Sequence, residues 1–265
     1  MSQADIELLF QQTLDGDYED DEPWEAVRQL RRLGTRAVFD VARQWCSSTD
    51  PLRRARGVDV LAQLGKTVEH PSNSFPDESY SIVSSLIGDE QELRPLDSAI
   101  AALGHLDDTR AVPLIARFQS HPESEIRFSV ACALGSFPNE PLSVTTLLHL
   151  MEDDDADVRD WATFGLGVQG DADSPEIREA IFHALSDSDE DVREEAMVGL
   201  AKRHDLRVLQ PLLRGLEAEQ VSMRVTEAAY TLLGLENERK DWVRQDYASA
   251  LRQRFSDSDF PRGSE

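Results

Sequence analysis

A leucine recurs about every 32 residues along this chain, in segments that are otherwise rich in apolar residues. Equivalent leucines in successive apolar segments are separated by 31, 42, 31, 32, 34 and 32 residues. A period of this length predicts stacked supersecondary units, because such a unit buries its apolar face only against its neighbours. The seven leucines are Leu30, Leu61, Leu103, Leu134, Leu166, Leu200 and Leu232.

Residues 66–79 explain the one spacing that departs from this period. Their sequence, KTVEHPSNSFPDES, contains two prolines and mostly polar side chains. Such a composition is typical of a loop, so we expect a loop insertion here. Without it the period stays near 32 throughout.

Each period contains two segments whose apolar residues recur at helical spacing, and none shows the alternation typical of strands. We therefore expect an all-α chain, a right-handed α-solenoid of about seven two-helix repeats in a single domain over residues 1–255. Residues 5–14 predict an extra N-terminal helix. Residues 238–255 predict a C-terminal capping helix, and residues 256–265 a disordered tail.

The repeat is clearest at residues 152–167, EDDDADVRDWATFGLG, with close copies at 120–135 and 186–201. An acidic turn leads into a Val-Arg or Ile-Arg pair, then alanines, then a leucine followed by a small residue. Carboxylates at this place can cap a helix N-terminus, and we expect that role for Glu125, Asp157 and Asp191. The arginines at one repeat position are expected to bond to acidic turns of neighbouring units. They are Arg127, Arg159 and Arg193.

These units resemble HEAT repeats, and in particular the short type found in phycobilisome-lyase-like HEAT proteins. The resemblance is clearest over residues 107–216 and weaker over residues 23–65. It implies a binding scaffold whose second helices line a concave face. It also leaves open a lyase-like or chaperone role on a chromophore-bearing protein, and a HEAT-like alkylpurine DNA glycosylase. The glycosylase would need a basic groove, which this acidic chain disfavours.

The net charge of −24 restricts the kinds of partner. Phosphate backbones and anionic membranes carry the same sign, so we expect no nucleic acid and no membrane partner. Acid of this extent either serves solubility alone or steers a protein with a basic patch toward this one. The start of the chain lacks a secretory pattern, and its two cysteines, Cys46 and Cys132, are expected to be free thiols. A monomeric, cytoplasmic protein is the expectation.

No catalytic motif is present in the sequence. We find no Cys-x-x-Cys, no His-Glu-x-x-His and no Walker-type glycine loop. None of the six histidines is followed by Glu, whereas HEAT-like deoxyhypusine hydroxylases carry repeated His-Glu pairs that bind iron. We therefore predict that the protein is not an enzyme and has no cofactor and no metal site.

One set of candidate binding residues lies in the second helices, at equivalent places of different repeats. These positions either line a groove that contacts a ligand or hold half-buried polar residues between helices; a metal site is the weakest alternative. The candidates are Arg43, His149, His183 and Arg214, with Thr145, Glu179 and Gln210 one turn earlier.

A second set comprises acidic turn residues and two aromatic residues of the central repeat. Trp161 stands where the sister units have Ser129 and Glu195. Such a ring either fills space beside Gly165 or anchors an interface. The candidates are Asp153, Asp154, Asp187 and Asp189 in the turns, with Trp161 and Phe164.

Overall fold

The computed structural model describes residues 2–235 and 241–255, which form helices and turns without a strand. The all-α prediction is therefore confirmed for this part of the chain. The chain divides into two compact units, Met1–Phe137 and Pro138–Glu265. A single domain over residues 1–255 stays a prediction.

Unit 1 contains eight helices among its described residues. In this unit α4 packs against α2, α3 and α6, and α6 packs against α8. A short 3-10 turn, Thr109–Ala111, leads into α7. The helices are α1 (Gln3–Gln12), α2 (Asp21–Leu33), α3 (Arg36–Cys46), α4 (Pro51–Ala62), α5 (Pro76–Asp89), α6 (Leu93–His105), α7 (Val112–Ala116) and α8 (Ser124–Gly135).

Unit 2 contains seven helices in the part that the structure describes. Here α12 packs between α10 and α14, while α11 and α13 lie against α12 and α14 respectively. The helices are α9 (Pro141–Leu150), α10 (Ala156–Phe164), α11 (Pro175–Ala184), α12 (Glu190–Lys202), α13 (Leu209–Glu217), α14 (Met223–Leu232) and α15 (Arg244–Arg254).

The repeating leucines lie where the sequence period predicts, in the core of the first helix of each pair. All seven are at most 1% exposed. In sequence order, fourteen helices follow α1 among the described residues, from α2 to α15, as about seven two-helix repeats require.

Several helix ends follow directly from local sequence. Gly34 ends α2 with a φ of 56°, a left-handed conformation that glycine adopts without strain. Asp50 accepts a hydrogen bond from the backbone N–H of Leu52, and Pro51 begins α4 as expected.

The predicted N-caps of the acidic repeats are wrong, because the true N-caps lie two residues earlier in the chain. Asp155 and Asp189 are the N-caps, and each accepts hydrogen bonds from two backbone N–H groups of the following turn. Asp157 and Asp191 lie inside the first turn, as does Glu125 in α8. They still meet the positive end of the helix dipole.

Two predicted boundaries also need correction. The insertion predicted as a loop over residues 66–79 ends earlier, because Pro76 starts α5 with its fixed φ. The capping helix predicted over residues 238–255 begins only at Arg244, after the non-helical Val243. Residues 236–240 and the predicted tail at 256–265 lie outside the described residues.

Gly167 does not end the helix of its repeat. Residues Gly165–Gln169 form a π-helical turn that continues α10. A π turn leaves carbonyl groups in need of donors, and the buried guanidinium of Arg203 supplies them. It donates to the carbonyl oxygens of Leu166, Gly167, Gly170, Ala172 and Gly199, at N–O distances from 2.7 to 3.4 Å.

Within the described ranges, none of the helices has the length and apolar character needed to cross a bilayer.

Candidate partner-binding surfaces

The second helices of unit 2 present a row of polar side chains to solvent. Three pairs lie on three successive second helices, and all six residues are exposed. The opposite sides of the same helices carry buried residues such as Leu147, Ile181 and Leu212. The structure thus places the six at the surface rather than between helices. They are Thr145 and His149 on α9, Glu179 and His183 on α11, and Gln210 and Arg214 on α13, and we call them the second-helix face.

Two members of the second-helix face are held by local contacts. The Thr145 hydroxyl donates to the Pro141 carbonyl at 3.0 Å. The Glu179 carboxylate accepts from Arg207, which is itself paired with Asp205 at 2.7 Å. The remaining imidazole and amide groups can donate hydrogen bonds to a bound surface and accept them from it, whereas the Arg214 guanidinium can only donate. Among the described residues no group of three or more His, Cys, Asp or Glu is arranged to hold a metal ion.

Arg43, the candidate from α3, lies in unit 1 and lines two open clefts there. One cleft, of about 580 Å³, reaches Cys46 and Ser85. The other, of about 1040 Å³, reaches Leu8 and Trp45. The Arg43 side chain is 56% exposed and pairs with Asp40 of its own helix at 3.3 Å. The sequence gives no sign of these clefts, because they lie between helices of different repeats.

The acidic turns are largely occupied by their own repeats. Arg159 donates to both carboxylate oxygens of Asp187 at 2.8 Å, which confirms the expected ladder contact for this arginine. The described hydrogen bonds of Arg193 go instead to carbonyls of the turn before its own helix. This hydrogen-bonded guanidinium lowers the pKa of Asp187. Asp153 accepts from the backbone N–H of Asp155 at 2.9 Å, and Asp189 caps α12. Of the four candidates, Asp154 is exposed and the other three are half-buried.

A second ladder contact, not predicted from the sequence, ties two repeats of unit 1. Arg54 donates to both oxygens of the Glu90 carboxylate at 2.7 and 2.8 Å. Its guanidinium also donates to the carbonyls of Ser48 and Thr49, the preceding turn. The signal was available, since Arg54 precedes Leu61 by the same seven residues that separate Arg159 from Leu166.

Trp161 and Phe164 form an aromatic corner on α10. Their rings meet edge to face with centroids 5.6 Å apart. Trp161 is 38% exposed, whereas Phe164 is half-buried. Trp161 is therefore the exposed ring of the pair, and Phe164 is packed more deeply.

Two poorly compensated carboxylates lie on α10 and α12, one of them Asp160, which precedes Trp161 in the chain. One carboxylate oxygen of Asp160 is buried without a hydrogen-bond partner. Loss of solvation raises the pKa of Asp160 to about 6, and nearby carboxylates add to the effect. Glu195 of α12 is 3% exposed, and the same causes raise its pKa to about 7. One guanidinium, that of Arg224, pairs with Glu195 at 2.5 Å and with Asp191 at 2.7 Å. We call Asp160, Trp161, Phe164, Glu195 and Arg224 the Trp161 patch.

A buried polar network in unit 1 has a structural explanation. The fully buried Arg56 donates to the carbonyls of Thr13 and Tyr18 and lies 3.7 Å from the centroid of the Tyr18 ring. The Tyr18 hydroxyl bonds Asp59 at 2.5 Å and Ser98 at 2.9 Å. Burial raises the pKa of both Tyr18 and Asp59. This network fastens the α1–α2 connection onto α4 and α6.

Comparison with known proteins places these repeats in a family. A family model described as HEAT repeats matches residues 85–167 and 146–233, which together exceed half of the chain. The chain belongs to the HEAT-repeat family. The HEAT resemblance inferred from the Val-Arg, alanine and Leu-Gly pattern is therefore confirmed.

Two curated relatives of this HEAT-repeat protein are called phycocyanobilin lyase subunit alpha. The one from Thermosynechococcus vestitus is 27% identical over 146 residues, and the one from a Nostoc species is 26% identical over 146 residues. Each alignment covers 55% of this chain and 53% of the relative, so the chain matches only about half the length of these proteins.

Solved structures agree on the fold. The Escherichia coli protein YibA superposes with a TM-score of 0.70 at 22% identity, covering 93% of this chain and 92% of YibA. An archaeal HEAT-like repeats protein from Thermococcus onnurineus superposes with a TM-score of 0.57 at 15% identity, covering 95% and 98% of the two chains.

Proposed function

We propose that this HEAT-repeat protein is a non-catalytic scaffold that binds another protein through the second-helix face of unit 2. The observation that carries the proposal is the exposure of all six polar residues at equivalent positions of three successive second helices. Because these residues recur once in each structural repeat, they present hydrogen-bonding groups at regular intervals, as an extended binding surface requires.

The expected partner is a protein with a basic patch. A net charge of −24 attracts such a patch over distances set by the salt concentration and repels nucleic acid and anionic membranes. In this proposal the scaffold acts as a monomer in the cytoplasm, and a DNA glycosylase activity is disfavoured. Arg43, beside the clefts of unit 1, is a further proposed contact, as is exposed Asp154.

The test is affinity capture from the native organism, comparing the wild type with a His149→Ala, His183→Ala, Arg214→Ala variant. We expect the variant to lose the captured protein, which quantitative mass spectrometry would identify. A matched control, Gln169→Ala with Glu190→Ala, changes exposed residues outside the second-helix face and should retain it. Equal recovery with all three proteins at low salt would contradict the proposal.

A second candidate is a lyase-like or chaperone role on a bilin-bearing protein. The match to phycocyanobilin lyase alpha subunits favours it. The test mixes the protein with phycocyanobilin and an apo-phycobiliprotein, and follows the bilin absorption spectrum. A spectral change that depends on this protein would support the role, and an unchanged spectrum would argue against it.

A further inference from the structure

The Trp161 patch lies on first helices of unit 2, and the second-helix face does not include it. Trp161 precedes Leu166 by five residues, as Glu195 precedes Leu200 and Glu227 precedes Leu232. The column that holds carboxylates on α12 and α14 thus holds an exposed indole on α10. Aromatic residues at such positions are the usual anchors of protein interfaces.

The geometry of α10 brings a carboxylate and two rings together. Phe164 follows Trp161 by three residues and Asp160 by four, so the Phe164 ring neighbours both of these side chains on the surface of the helix. The edge-to-face contact of the rings, at 5.6 Å, supports the orientation of the indole. An exposed ring beside an anion is a suitable site for a cation, which a ring face and a carboxylate both attract.

The local charge balance favours a cation as well. The carboxylates of Asp160 and Glu195 repel each other. They are also repelled by nearby carboxylates, those of Asp157, Asp189, Asp191 and Glu227. Arg224 is the cation that acts on both, and it is already shared between Asp191 and Glu195. The unpartnered oxygen of Asp160 therefore lies in a region of excess negative charge.

We propose that the Trp161 patch is a second docking surface, which accepts an arginine side chain from a basic segment of a partner protein. The guanidinium stacks on the exposed part of Trp161 and pairs with the half-buried carboxylate of Asp160. Arginine suits this place better than lysine, because its planar group both stacks on a ring and donates to a carboxylate. The biological occupant rests on the proposed protein-binding function, whereas the chemistry of the patch can be tested without the partner.

The probe is the peptide acetyl-Gly-Arg-Gly-Arg-Gly-amide, titrated into 15N-labelled protein. The indole N–H signal of Trp161, assigned with Trp161→Phe, reports on the patch. We expect a saturating shift of this signal, and no shift with the citrulline analogue, which has the same shape without charge. Asp160→Asn should weaken binding of the arginine peptide about fivefold. Glu176→Gln, which removes a charge from an exposed position of α11, should change the affinity less than twofold.

Two results would overturn the proposal. One is an equal weakening by Asp160→Asn and Glu176→Gln, which would show attraction to net charge alone. The other is a citrulline peptide that shifts the indole signal as much as the arginine peptide does. Thermal melting of each variant confirms that it is folded, and Asp160→Asn removes a poorly solvated charge, so it is expected to fold.

Failure of this proposal can be told from failure of the proposed function. If the second-helix variant loses its captured protein while the peptide titrates without dependence on Asp160, the scaffold function stands and the patch proposal falls. If no protein depends on the second-helix face and the peptide still requires Asp160, the patch stands and the proposed function falls.

Discussion

Arg159 of α10 holds the carboxylate of Asp187, at the turn before α12, through two hydrogen bonds of 2.8 Å each. The two side chains are only 14% and 12% exposed. The same guanidinium donates to the carbonyls of Asp153 and Asp154, in the turn before its own helix. One arginine therefore ties two successive acidic turns together.

We expect Arg159→Ala to lower the free energy of unfolding by about 2–4 kcal/mol, because it leaves the Asp187 carboxylate largely buried without its cation. Urea unfolding would measure the change. Arg193→Ala is the matched control, since the described hydrogen bonds of Arg193 go to carbonyls of its own turn. A loss with Arg159→Ala no larger than with Arg193→Ala would contradict the role of the ladder contact.

The same pair predicts a loss of stability in acid. The folded-state pKa of Asp187 is lowered, chiefly by its hydrogen bonds from Arg159. Its contribution is present above the ordinary aspartate pKa and is lost as the pH falls through the lowered value. The difference in unfolding free energy between wild type and Arg159→Ala should therefore shrink in acid. A difference that stays constant from neutral pH to below pH 3 would contradict this, with denaturant titrations at each pH as the measurement.

For Asp160 we expect the opposite dependence of stability on pH. Its pKa is raised to about 6, so its stabilising contribution is present below the ordinary aspartate pKa and is lost as the pH rises through about 6. Asp160→Asn should therefore raise stability at pH 8 by about 1 kcal/mol, allowing for solvent screening, with little effect at pH 4. Thermal melts at the two pH values would test this, with Glu176→Gln as the charge-matched control. An aspartate that lowers the stability of the folded protein at pH 8 would be consistent with a role of Asp160 in binding.

Gly57 in α4 predicts a packing penalty. A Cβ atom there would lie 2.8 Å from the Ala42 carbonyl oxygen and 2.9 Å from the Cys46 nitrogen, both backbone atoms of α3. We expect Gly57→Ala to destabilise the protein by about 1–3 kcal/mol through this overpacking. Gly88 in α5 is the control, because a Cβ there meets nothing within 4 Å. Gly88→Ala should leave stability unchanged or raise it by up to about 1 kcal/mol, and chemical denaturation would separate the two.

Substitution of Arg203 is expected to destabilise the packed region around its guanidinium. It is 8% exposed and satisfies carbonyls of the π turn, of the loop after it and of its own helix. Arg203→Lys keeps the charge but cannot reach all of these groups, so we expect a loss of about 2–3 kcal/mol. Hydrogen exchange should show faster opening around Gly165–Gln169 in the variant. Unchanged protection there would contradict the assigned role.

Much of the fold was predictable because it depends on short-range pattern. The period of the buried leucines and the left-handed stop at Gly34 follow from neighbouring residues. The errors arose where a local rule had two solutions. Asp155 and Asp157 both precede apolar residues of α10, and only the position where the helix starts decides which one is the N-cap.

The candidate sites were predictable to a lesser degree. Helical spacing was enough to put His149 and His183 at equivalent places of their helices, and the structure decided that both are exposed. It could not show that Asp187 is already bound to Arg159, nor that Asp160 lacks a partner for one oxygen. Those facts depend on the distance between side chains of different repeats.

The all-α class, the two-helix repeat and the excess of negative charge follow from the sequence alone, because periodicity and composition are properties of neighbouring residues and of their sum. Which charges are compensated depends on the tertiary structure. The repeat stacking buries Arg203 among carbonyls, joins Arg159 to Asp187 and leaves Trp161 exposed beside Asp160. The physical reason is that solvation and pairing depend on what packing brings near a group, and residues about one repeat apart meet only when the repeats stack.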